Sequence, residues 1–211
     1  MTASAGVHHW YRLFFISFMF LFWLTGPEEP AWAANETQEA EGTSTTEKRY
    51  EVPNRYGVAV SFAQGYGLPE NWGTALVTLI GLFDYDRVWP HRAPDPLRFK
   101  VELTAGTTTW PDVRAVVSAN ILALYYLEWL STPGMRPYIE GGIGGIYTDY
   151  QVKGQGSRVN FNPVAGLGLE FPRAFGPTIF TALRASHASN AGLCKDNTGV
   201  DSLGLMLGMY F

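Results

Sequence analysis

The feature that most constrains this chain is a two-residue period. From residue 52 onward, apolar side chains exchange places with polar or small ones at almost every step. In 97–104, Leu97, Phe99, Val101 and Leu103 alternate with Arg98, Lys100, Glu102 and Thr104. In 135–147, Arg136, Tyr138, Glu140, Gly142 and Gly144 oppose Pro137, Ile139, Gly141 and Ile143. In 162–171, Leu167, Leu169 and Phe171 oppose Gly166, Gly168 and Glu170. The last segment sets Leu203, Leu205, Leu207, Met209 and Phe211 against Ser202, Gly204, Met206, Gly208 and Tyr210. Alternation of this kind puts one set on each face of a strand. No long stretch after residue 52 carries a 3.6-residue period. Segments 56–66, 72–85, 113–127 and 177–187 complete a set of eight candidate strands, separated by breaks rich in Pro, Gly and Asp such as Leu68-Pro69-Glu70-Asn71 and Thr132-Pro133-Gly134. Eight strands so spaced predict a closed antiparallel β-barrel. A barrel of that size is filled by its own side chains and is not a pore.

Alternation alone leaves open which face is outside. A soluble barrel holding an apolar ligand turns the apolar set inward. A transmembrane barrel turns it outward and leaves Arg98, Lys100, Glu102, Arg136, Glu140, Glu170 and Arg184 inside as a mixed-sign network. Three features favour the membrane. Tyr and Trp recur at strand ends (Tyr56, Tyr66, Trp72, Tyr85, Trp89, Trp110, Trp129, Tyr147, Tyr150, Tyr210), where an interfacial girdle needs them. The sequence ends on the apolar-aromatic strand, at Tyr210-Phe211, which resembles the terminal signature of bacterial outer-membrane barrels. The third is an export signal. Residues 13–24 carry no charge and follow Arg12. The run is too short for a spanning helix, which needs about 20 residues. Thr25-Gly26-Pro27 ends it, and Ala31-Trp32-Ala33 has the small residues of a signal-peptidase site. Residues 1–33 therefore read as a signal peptide, 34–51 as an acidic disordered segment, and 52–211 as the barrel.

Composition excludes other classes. Residues 52–211 hold 12 acids and 12 bases, so no polybasic surface recruits nucleic acid. Cys194 is the single cysteine, which excludes a disulfide scaffold. Of four His, His8 and His9 fall in the leader, and no zinc-ligand spacing is present, so no metal or other cofactor is expected.

Chemistry concentrates in residues 184–201, RASHASNAGLCKDNTGVD. His187 and Ser189, two apart on a strand, project from the same face. Asp201 opens the next strand, and a hairpin returns it beside His187. A hydroxyl, an imidazole and a carboxylate are what acyl transfer requires. An Asn side chain or a backbone N–H in the turn at 190–192 can hold an oxyanion. By parity all three groups share the apolar face, where a membrane-lipid ester would reach them without leaving the bilayer.

His187-Ala188-Ser189-Asn190-Ala191-Gly192, followed by Asn197-Thr198-Gly199-Val200-Asp201, resembles the C-terminal signature of the PagL family of lipid A 3-O-deacylases. The resemblance implies an exported, eight-stranded outer-membrane barrel that hydrolyses the ester-linked acyl chain at position 3 of lipid A. It implies Ser189 as nucleophile, His187 as general base and Asp201 as the acid, where the family often has Glu. Asn190 and Asn197 match asparagines associated with the oxyanion hole. The implied partners are lipid A and the outer membrane. The alternative is a small non-catalytic barrel with a structural or adhesion role. Glu140 and Glu170 read as interior ion-pair partners of Arg98 or Arg136. The glycine run 141–145 reads as space for close strand packing, and Cys194 as a solitary loop thiol. Arg87, Arg92, Lys153 and Arg158 are loop cations that could meet lipid A phosphates.

Overall fold

The computed structural model describes residues 55–67, 72–89 and 92–211. The expected signal peptide and acidic segment lie outside the described residues. The alternating segments form strands β1 (Arg55–Tyr66), β2 (Gly73–Asp84), β3 (Leu97–Trp110), β4 (Ala115–Tyr126), β5 (Arg136–Thr148), β6 (Val159–Phe161), β7 (Val164–Phe171), β8 (Thr178–Ala188) and β9 (Val200–Tyr210). A single helical turn, α1 (Tyr85–Val88), follows β2. Every pairing is antiparallel, β5 pairs with both β6 and β7, and β1 pairs with β9 to close the cylinder.

β6 and β7 are one barrel strand. Phe161 faces Gly145 and Val164 faces Gly142, so both halves keep one register along β5. Asn162 and Gly144 exchange backbone hydrogen bonds in the gap (3.2 and 2.8 Å). The interruption falls at Pro163, which has no N–H to give the ladder. The barrel therefore has eight strands. The sequence pattern starts this strand at 162 and ends β3 at 104. The pairing extends it back to Val159 and carries β3 on to Trp110, where Thr108 still alternates inward.

The apolar set faces out. Leu79, Leu103, Leu167, Leu203, Leu205 and Leu207 are all exposed on the outer wall, an arrangement that costs nothing against hydrocarbon and would be prohibitive in water. The lumen holds the polar set. Lys100, fully buried, reaches Glu140 at 2.9 Å and Glu102 at 3.0 Å. Arg184 bonds Glu140 through Nε at 2.6 Å and clasps Glu102 with both terminal nitrogens (2.9 and 2.6 Å). Two cations thus balance two carboxylates, and the desolvation cost of each is offset by direct pairing. Glu170 bonds Arg55 (2.9 Å) and Tyr126 (2.5 Å). The expected partners Arg98 and Arg136 are otherwise engaged: Arg98 lies 3.4 Å from Asp84, and Arg136 stacks 4.0 Å above the Tyr126 ring. Strand parity puts these groups in the lumen but does not say which strands meet across it.

The aromatic ends divide in the same way. Tyr56, Tyr66, Trp89, Trp110, Trp129 and Tyr147 are exposed. Trp72 and Tyr150 pack against a small inner cluster of Val152, Ala188 and Val200, and Tyr210 is buried on Phe180, so these three are not part of an outer girdle. In the glycine run, a Cβ on Gly142 or Gly144 would come within 2.0 Å of a β4 carbonyl, which is the close strand packing expected there.

Candidate active site

His187 is the next-to-last residue of β8 and Asp201 the second of β9, and the two are direct cross-strand partners. Their side chains lie on the outer wall, where His187 Nδ1 and Asp201 Oδ1 are 2.7 Å apart. A short Asp reaches the imidazole because directly opposed residues on one face bring their Cβ atoms close, about 4.5–5.5 Å. Both side chains stay partly exposed (42% and 29%). Asp201 also pairs in register with Tyr66 of β1, one of the outward aromatics. The site therefore sits at the level of the interfacial belt, where polar groups are tolerated.

Ser189 continues β8 by one bridge to Phe161, with backbone bonds of 2.8 and 3.1 Å. It keeps the outward parity of His187 and is half-buried. Among the described residues its hydroxyl makes no hydrogen bond, to His187 included. Such contacts are often loose in an unliganded site and tighten only around substrate.

The two asparagines part company. Asn190 is buried, and its carboxamide is fully used. Nδ2 donates to the carbonyls of Gln155 (2.9 Å) and Asp196 (2.8 Å), and Oδ1 accepts the Gly192 N–H (3.0 Å). Asn197 is exposed. Its Oδ1 accepts the backbone N–H of Asn190 at 2.8 Å, which fixes the amide's orientation. Its Nδ2 donates to nothing among the described residues.

Asn190 shows what holds the 189–199 loop. The β5–β6 loop folds against it: Thr198 N–H donates to Gly154 at 2.7 Å, and Gly154 and Gly156 adopt φ of +83° and +76°. This brace escapes the sequence reading. The two glycines announce a tight turn, but a contact between two loops has no period to betray it. Lys153 and Arg158 lie on this same loop, at the site's end of the barrel, and Arg158 bonds Asp149 at 2.9 Å. Arg87 and Arg92 belong to the β2–β3 connection, at the opposite end of the barrel. Cys194, half-buried, lies in the 189–199 loop and is a free thiol.

Behind the β8–β9 hairpin is a cavity of about 110 Å³, bordered by the polar Ser186, Ser202 and Asn120 and by the apolar Trp72, Val116 and Ile146.

A model of the family described as lipid A 3-O-deacylase (PagL) matches residues 83–210. The chain belongs to the PagL family. The lipid A deacylase PagL of Pseudomonas aeruginosa is 32% identical over 128 residues, spanning 58% of this chain and 70% of the relative. The crystal structure of the outer-membrane enzyme PagL aligns over 71% of this chain and 97% of its own, with 28% identity and a TM-score of 0.49. Neisserial surface protein A shares the fold, with a TM-score of 0.55 at 14% identity over 74% of this chain and 95% of its own. The PagL-family chain is thus an outer-membrane β-barrel and an ester hydrolase. The matched span contains every candidate site residue from His187 to Asp201; β1 and most of β2 lie outside it.

Proposed function

We propose that this protein removes the ester-linked 3-hydroxyacyl chain at position 3 of lipid A through a triad of Ser189, His187 and Asp201. The observation that carries the reading is the 2.7 Å contact between His187 and Asp201 on the outer wall, with Ser189 projecting from the same face. Asp201 keeps the Nδ1 proton on the imidazole, so that Nε2 is left as the base. Ser189 Oγ attacks the ester carbonyl carbon as its proton passes to Nε2. Asp201 steadies the imidazolium that results. Of the two asparagines only Asn197 has an uncommitted Nδ2, and it takes the oxyanion; Asn190 holds the loop. Collapse of the tetrahedral adduct breaks the bond to the sugar oxygen, which leaves with the proton from Nε2. Water, deprotonated by the same nitrogen, then hydrolyses the acyl-Ser189 ester and frees the 3-hydroxy fatty acid.

The location suits an ester at the boundary between headgroup and acyl chains. The acyl chain stays on the leucine-covered wall while the carbonyl meets the polar groups at the aromatic belt, and no transfer into the lumen is needed. Mass spectrometry of lipid A from cells making the protein tests the reading. One hydroxyacyl chain is lost with the wild type and retained with Ser189→Ala, both variants being folded in the outer membrane. Unchanged lipid A with the wild type would instead leave a passive barrel of structural or adhesion role.

A further inference from the structure

We propose that Gly199 is a positioning residue of this site: the side chain it lacks is the space in which the His187 imidazole lies between Asp201 and Ser189. The inference rests on the triad reading above.

The hairpin register sets up the arrangement. His187 faces Asp201 and Ala188 faces Val200, so the next step brings Gly199 opposite Ser189. The imidazole is tied to Asp201 through Nδ1 and leans from there across position 199. A Cβ on Gly199 would lie 2.4 Å from Cε1, 2.9 Å from Nε2 and 3.5 Å from Nδ1 of that ring. The collision is thus heaviest on the edge that carries the basic nitrogen, the one that must face the hydroxyl.

The main chain does not ask for glycine here. Gly154, Gly156 and Gly192 have φ of +83°, +76° and +82°, a region that L-residues avoid. Gly199 has no such φ, and alanine fits its backbone. The three nearest atoms all belong to His187. A methyl at 199 therefore meets the imidazole first. To reach the ordinary contact range that starts at 3.4 Å, the ring atom now at 2.4 Å must retreat, and the shift strains its 2.7 Å bond to Asp201. Misplacement of a reacting group by about 1 Å costs about 100-fold in rate.

The test is Gly199→Ala in the full-length folded barrel, beside Gly145→Ala. Gly145 is outward on β5 and a Cβ there meets nothing within 4 Å, so that substitution serves as the inert control. Three readouts are used: kcat and KM on lipid A in mixed micelles, the proton resonance of the His187 Nδ1–H bonded to Asp201, and the heat-dependent gel mobility. Gly199→Ala lowers kcat about 100-fold with KM within about threefold, shifts or abolishes the resonance, and leaves the heat-dependent gel mobility unchanged. Gly145→Ala matches the wild type in all three. A Gly199→Ala protein with wild-type kcat and an unmoved resonance overturns the inference. So does one that no longer folds, since the penalty would then fall on the main chain. The resonance keeps the two readings apart: a wild type inactive on lipid A defeats the deacylase proposal, while the imidazole signal still reports whether Gly199 sets the ring.

Discussion

Replacing Asn190 separates two roles that its position alone cannot distinguish, an oxyanion donor and a loop brace. Its carboxamide makes three short hydrogen bonds, to Gln155, Asp196 and Gly192, and is buried between two loops. At about 1 kcal/mol net for each, Asn190→Ala removes about 3 kcal/mol from the ordered state of the 189–199 loop. Since 1.4 kcal/mol is a factor of ten, the ordered population falls by about two orders of magnitude relative to the opened one. Asn190→Asp is nearly isosteric and informative. It keeps the acceptor for Gly192 but sets a charged oxygen less than 3 Å from two carbonyl oxygens, so it disrupts at least as much as alanine. The assay pairs lipid A deacylation with limited proteolysis of the loop on the folded barrel. Both variants lose activity and gain cleavage between 189 and 199, while the heat-dependent gel shift of the barrel persists. Loss of activity with the loop still fully protected would refute the brace and return Asn190 to the oxyanion. Wild-type activity in Asn190→Asp would refute both roles.

Other consequences can be measured independently. Asp201→Ala removes the group bonded to His187 Nδ1 and lowers kcat by about 10³–10⁴; Asp201→Glu keeps the carboxylate and stays within about tenfold of wild type, because one added methylene folds more readily than a missing charge is replaced. Kinetics on lipid A micelles checks both, and an active Asp201→Ala removes the carboxylate from the mechanism. In the lumen, Lys100→Met leaves Glu102 and Glu140 sharing Arg184 alone, which costs about 3–5 kcal/mol and lowers the urea midpoint of unfolding; adding Glu140→Gln recovers part of the loss, and no change in midpoint would show the network to be energetically idle.

How much of this was legible beforehand follows from what kind of interaction each feature is. The strands announce themselves, because each obeys a local period that hydrocarbon on one side enforces. The proximity of Asp201 to His187 is nearly as local, since one hairpin register decides it. The ion-pair partners are not local at all. Glu170 finds Arg55 115 residues away, through barrel closure and strand stagger that no single segment encodes. Pro163 conceals the first half of a strand because a missing N–H looks like a break, yet the register runs straight past it. The different bonding of Asn190 and Asn197 depends on the β5–β6 loop arriving overhead, and nothing in either residue's neighbourhood foretells it.

On the proposed function, an outward-facing hydrolytic site changes what concentration means for this enzyme. Its ester arrives by lateral diffusion in the same leaflet, so turnover follows the mole fraction of substrate among surrounding lipids and not an amount per volume of water. Crowding by other lipids dilutes the reaction, and the barrel's own rotation about its axis decides which neighbour is sampled next.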